Sequence, residues 1–262
     1  MINDARRSAE EVVGRESGTI SSMSMEPAAS PDSAGSLAAA RRRRDRVELW
    51  VGYALILVVI WTPRPWQRTF YFVAATFVVA ATWLSFPGWK AMGFGIANLA
   101  RSMWIVVVAL LAAAVATDVA GRMHTLHSPG GLTMFFARYA GYMIFAIVQQ
   151  ALLQSYFLLH FLRLTRRPSS PQTAALAAAA IFSAAHLPNP ILTVCTFVWG
   201  LAACLFFLRY RNLYSLSIAH AILGITLAIC VPGPVIRNMR VGLGYLTYHA
   251  QWADHGPDHR NH

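Results

Sequence analysis

Apolar residues in this chain fall in long unbroken runs, not in the alternating or one-sided patterns of a water-soluble fold. The runs cover approximately 47–62, 69–86, 103–120, 132–162, 173–188, 190–209 and 213–231, with a weaker, glycine-containing stretch at 240–250. A membrane-crossing helix needs about 20 residues, within roughly 17–25, so some runs must borrow residues from their flanks. Backbone groups in hydrocarbon have to be satisfied within their own segment, which makes the spans helices. The pattern predicts an all-α fold, a polytopic membrane helical bundle of about seven to eight transmembrane helices. The 240–250 stretch is the candidate for the eighth.

The polar stretches set the domain boundaries. Residues 1–46 are rich in Ser, Ala, Glu, Arg and Pro and close on the run RRRRDR, the composition of a disordered polar tail. The first apolar run has no small-residue cleavage site after it, so it reads as an uncleaved span and not as a signal peptide. Residues 47–251 form the transmembrane domain, and 252–262 a polar C-terminal tail.

Composition agrees with the bilayer as solvent. The chain is 56% hydrophobic and 13% charged, against about 25% charged in soluble domains. Its net charge of +11 comes from Arg residues and a lone Lys90, which sit mainly in the leader and at the ends of apolar runs. That is the placement of topology signals, and it excludes nucleic acid as the expected partner in favour of the lipid bilayer. The cluster Arg41, Arg42, Arg43, Arg44 and Arg46, with the basic alternate loops, places the N-terminus in the cytoplasm. The excess of Arg over Lys suggests a GC-rich coding sequence, consistent with a bacterial inner (plasma) membrane. Cys195, Cys204 and Cys230 are widely spaced and read as small core residues. Strictly between Glu48 and Asp254 the only carboxylate is Asp118.

Polar side chains inside apolar runs face the bundle interior, pair with one another and mark functional sites. Three groups qualify. Gln149, Gln150 and Gln154 lie midway along the fourth run, with Gln150 and Gln154 on one helical face and Gln149 turned about 100° away. His186 ends the fifth run, stopped by Pro188 and Pro190. His220 lies in the seventh run, one turn before Gly224. Each taken alone is readable as structural glue between helices. Together they can converge on one buried pocket.

The order of a polar pair, then Phe182-x-x-x-His186, then His220-x-x-x-Gly224 resembles the CPBP family of intramembrane proteases, which includes the type II CAAX prenyl endopeptidases and bacteriocin-processing homologues. The likeness covers roughly 132–230. In that family the first motif is Glu-Glu-x-x-x-Arg, and this chain has Gln149, Gln150 and Gln154 at the three corresponding positions. The second motif matches at Phe182 and His186, the third at His220 with Gly224 in its last place. The resemblance implies an endopeptidase in which the first glutamate activates water while the histidines and an asparagine hold water and the oxyanion.

The departure falls on the chemistry, because a neutral amide cannot take a proton from water near pH 7. The expected catalytic residues are His186, His220, Gln149 and Gln150, with His186 or His220 as base, and with Gln154, Phe182 and Gly224 supporting them. Replacing both Glu and Arg keeps the pocket neutral, with an amide–amide pair at 150 and 154. No cofactor is expected. A divalent metal would be left with His186 and His220 alone, since zinc draws on at least three His, Cys or carboxylate ligands and His160 lies about 15 Å along the helix from Gln150. Three functions follow: an endopeptidase with a glutamine-substituted site, acting on a membrane-associated or lipid-anchored protein or peptide; an inactive pseudoprotease that binds or chaperones a membrane partner; and a transporter. Neither an internal repeat nor a chain of mid-membrane acids supports the third.

Overall fold

The computed structural model describes residues 31–127, 130–165 and 170–249, so residues 1–30 and the C-terminal tail expected at 252–262 lie outside the described residues. The helices are α1 (Pro31–Trp61), α2 (Arg64–Leu84), α3 (Leu99–Arg122), α4 (Leu132–Leu164), α5 (Ser170–Ala184), α6 (Pro190–Tyr210), α7 (Leu213–Cys230), α8 (Gly233–Ile236) and α9 (Gly242–Leu246), with a 3-10 turn at Arg237–Met239. Among the described residues there is no strand. The chain divides into two units, Met1–Arg41 and Arg42–His262. The described part of the first is helical, and every site discussed below lies in the second.

Each of the seven apolar runs falls on a helix. Four helices, α3, α4, α6 and α7, are long and apolar enough to cross a membrane. α5 is apolar but shorter, and α1 carries charge into its membrane end. The protein is an all-α integral membrane bundle. Two expectations change. The eighth span at 240–250 is only the short helix Gly242–Leu246, because the glycines and the turn before it break the run. The polar leader does not stay irregular up to 46: α1 starts at Pro31. Its charges support the helix locally, as Arg44 and Glu48 pair across one turn at 2.6 Å.

Packing follows side-chain size. α3 lies along α7, α5 along α6, and α4 against α7. Ala174, Ala175, Ala178 and Ala179, all fully buried, give α5 a smooth face for close approach. Two asparagines fix helix starts. The Asn189 Oδ1 accepts from Leu192 N at 3.2 Å and the Asn212 Oδ1 from Ser215 N at 3.0 Å, satisfying amides that a helix leaves free. Val107, Val108, Leu111 and Val115 of α3 are all more than half exposed. A soluble monomer rarely shows such an apolar face, whereas lipid covers it.

α4 is not uniform. Ala151–Leu158 is π-helical, between α-helical turns on either side. Such wide turns are rare and occur often at functional sites. Here the segment starts immediately after Gln149 and Gln150.

Candidate active site

The site is assembled from α4, α5 and α7. Gln150 is fully buried, and its Nε2 donates to His220 Nδ1 at 2.9 Å. Gln154 Nε2 donates to Gln150 Oε1 at 3.3 Å, so the expected amide–amide pair forms and ends on an imidazole. Gln154 is also fully buried, and its Oε1 has no hydrogen-bond partner. Gln149, turned from this chain of bonds, is half-buried and lines a cavity instead.

His186 sits just past the last turn of α5, where Nδ1 lies 2.8 Å from the Phe182 carbonyl oxygen. The Phe182 ring stands 5.0 Å from His186 and 6.3 Å from His220. Gly200 of α6 leaves the room for it, since a Cβ there would meet Phe182 Cδ1 at 3.2 Å. The Trp199 ring also packs against His220, with centroids 6.2 Å apart. Gly224 faces Tyr142 of α4, whose hydroxyl occupies the place a side chain at 224 would take.

These bonds set the protonation roles of the two imidazoles. A carbonyl oxygen only accepts, so His186 Nδ1 carries the hydrogen and its Nε2 holds a free lone pair. His220 is the reverse: its Nδ1 accepts from the Gln150 amide, which leaves the hydrogen on Nε2. One ring is arranged to take a proton and the other to give a hydrogen bond.

Both rings line a cavity of about 1210 Å³, together with Gln149, Phe182, Tyr142 and Gly224. Its walls are mostly apolar and draw on α1, α2, α4, α5, α6 and α7, with further residues from the 233–241 segment. Among its lining residues no carboxylate occurs, and Arg138 is the one charged side chain. Asp118 takes no part: it is exposed and paired with Arg122 at 2.9 Å.

Sequence reasoning missed a second polar node on α4. His160 is buried, with Nε2 3.2 Å from Glu48 Oε2 and Nδ1 2.8 Å from the Tyr156 carbonyl oxygen. Glu48 also accepts from Arg44 at 2.6 Å and from Ser85 at 3.1 Å, and Asp45 pairs with Arg163 at 3.3 Å. Asp45, Glu48 and His160 hold ligand-type atoms within 4.8 Å of one another. Arg44 and Arg163 already neutralise both carboxylates, so the donor set reads as an ion-pair network. The clue in the sequence was that Glu48 sits inside the start of an apolar run.

Comparison with known families gives a match over residues 102–226 to the model described as type II CAAX prenyl endopeptidase Rce1-like. Comparisons with curated proteins and with solved structures gave no match. The matched stretch contains Gln149, Gln150, Gln154, Phe182, His186, His220 and Gly224, the residues on which the resemblance rested. Over this stretch, just under half of its length, the chain is similar to the Rce1-like type II CAAX prenyl endopeptidase family, which supports the resemblance to the CPBP family.

Proposed function

We propose that the protein is an intramembrane endopeptidase with a neutral, glutamine-substituted site, in which His186 is the general base and His220 a hydrogen-bond donor. The observation that carries this reading is the opposite tautomers imposed on the two rings by the Phe182 carbonyl and the Gln150 amide. A water in the cavity gives its proton to His186 Nε2 as its oxygen attacks the scissile carbonyl carbon. The proton then passes to the leaving nitrogen as the C–N bond breaks. A positioned base of this kind contributes about 10²–10⁴-fold. Gln149 orients the water through its amide and does not titrate.

The substrate is a membrane-associated or lipid-anchored protein or peptide, consistent with a largely apolar cavity that reaches the histidines. The site offers two imidazoles and neutral amides, short of the three ligands a zinc site draws on, so the mechanism uses protein groups alone. The basic leader supports a cytoplasmic N-terminus in a bacterial inner membrane. A cysteine introduced into the leader that reacts with a membrane-impermeant thiol reagent from outside intact cells would overturn that orientation.

The absence of a carboxylate from the cavity lining favours a second reading, a pseudoprotease that holds a membrane partner without cutting it. One experiment separates the two. Purified protein is assayed on membrane-anchored peptides beside His186→Ala, His220→Ala and the triple variant Gln149→Glu, Gln150→Glu, Gln154→Arg. The endopeptidase reading expects cleavage by the native protein and none by either histidine variant, with all proteins accumulating normally. Cleavage by the triple variant alone identifies the pseudoprotease.

A further inference from the structure

We propose that the Tyr142 hydroxyl is a second oxyanion donor, acting with His220 Nε2–H on the tetrahedral intermediate. The proposal rests on the endopeptidase reading above. Tyr142 lies on α4 two turns before Gln149, a spacing that puts both on one face, and both side chains line the cavity with His220. Its ring meets His220 edge-on, with centroids 6.5 Å apart and planes at 86°.

Of the other eight tyrosines three have partners for their hydroxyls: Tyr156 donates to the Glu48 carbonyl, Tyr210 accepts from Trp104 and Tyr248 accepts from Asn238. Tyr142 is set apart from the remaining five by its hydroxyl's place against Gly224, beside His220. Tyr142, which is partly buried and faces the cavity, makes no hydrogen bond among the described residues, so its hydroxyl is left for a group that enters there. Gly224 provides the reason it can sit where it does. A side chain at 224 would coincide with the hydroxyl, so the helix keeps a glycine there despite its poor helix propensity. The open place one turn after His220 is taken by a phenol whose proton is free to be donated.

In the reaction the water oxygen bonds to the carbonyl carbon, and the carbonyl π pair moves onto oxygen. Tyr142 O–H and His220 Nε2–H hold that oxyanion while His186 Nε2 carries the water proton. Return of the electron pair re-forms the carbonyl and expels the nitrogen, which takes the proton from His186. The phenol keeps its own proton throughout.

The test uses the full chain in lipid nanodiscs, a membrane-anchored quenched peptide, and the phosphinic analogue of that peptide as a tetrahedral mimic. Tyr142→Phe keeps the ring over Gly224 and removes only the donor. It is expected to lower kcat about 10²–10³-fold with KM little changed, and to lose the phosphinate's extra affinity by a similar factor while binding of the parent peptide stays the same. Gly224→Ala, which displaces the phenol, should reproduce the kcat loss. Turnover by Tyr142→Phe equal to the native protein's overturns the proposal and leaves the endopeptidase reading intact. Absence of turnover in the native protein overturns that reading instead. The phosphinate then decides the role of Tyr142, and equal affinity in the native and Tyr142→Phe proteins sinks it.

Discussion

Two polar nodes hang from the same helix, separated along α4 by the π-helical stretch Ala151–Leu158, and they solve burial in opposite ways. At Gln150 the groups are neutral: two amides and an imidazole linked in series, opening through His220 onto a cavity. At His160 they are charged: Glu48, Asp45, Arg44 and Arg163 pair around a ring whose two nitrogens both face acceptor oxygens. The neutral node sits in the middle of its apolar run, while the charged one lies where α1 and α4 leave theirs. An isolated ion is costly in hydrocarbon and a hydrogen-bonded amide much less so. Depth in the bundle decides which chemistry each node can use.

The comparison breaks most sharply by moving charge to the neutral node. Gln154→Arg leaves a buried cation without a partner and should destabilise the protein by about 3–5 kcal/mol, measured by reversible unfolding in mixed micelles. Adding Gln150→Glu should recover most of it. A single variant as stable as the native protein would mean that water reaches this node. At the charged node the expected effects are smaller. Gly52 of α1 lies against the Tyr156 hydroxyl, which a Cβ would strike, so Gly52→Ala should cost about 1–3 kcal/mol by overpacking in the same assay. Tyr156→Phe removes the 2.5 Å bond to the Glu48 carbonyl. Interhelical bonds in membranes average about 0.6 kcal/mol, so this variant should be the mildest, and a loss above that of Gly52→Ala would reverse the ranking.

The two nodes were also unequally legible in the sequence. Gln150, Gln154, His186 and His220 stood out because polar residues interrupt apolar runs, and their shared faces follow from helical spacing alone. Glu48 served only to bound the acid-poor core, since composition cannot show that a charged segment continues as helix when its charges pair one turn apart. Tyr142 carried no signal either. An aromatic residue in an aromatic-rich run looks the same whether it faces lipid or a cavity, and the hydroxyl's place becomes visible only with Gly224 beside it. The π-helical stretch after Gln150 had no mark in the sequence, because its residues are ordinary helix formers. The eighth span failed because hydropathy averages over Gly242 and Gly244 without registering that Gly242 adopts a left-handed φ of +52°.

The fully buried Asn189 amide donates to the carbonyls of Ile236 and Arg240 at 2.9 and 3.1 Å, while Gly242 N donates to Leu187 O at 2.9 Å. These bonds tie the chain's last described segment to the loop that carries His186. With α1 and α2, that segment supplies much of the cavity's wall, and all three lie outside the stretch matched by the family. Floor and wall can therefore be exchanged separately: chimaeras that replace α1, α2 and 233–241 with those of a protein matching the same family model should change what enters the site while leaving its hydrogen-bonded floor in place.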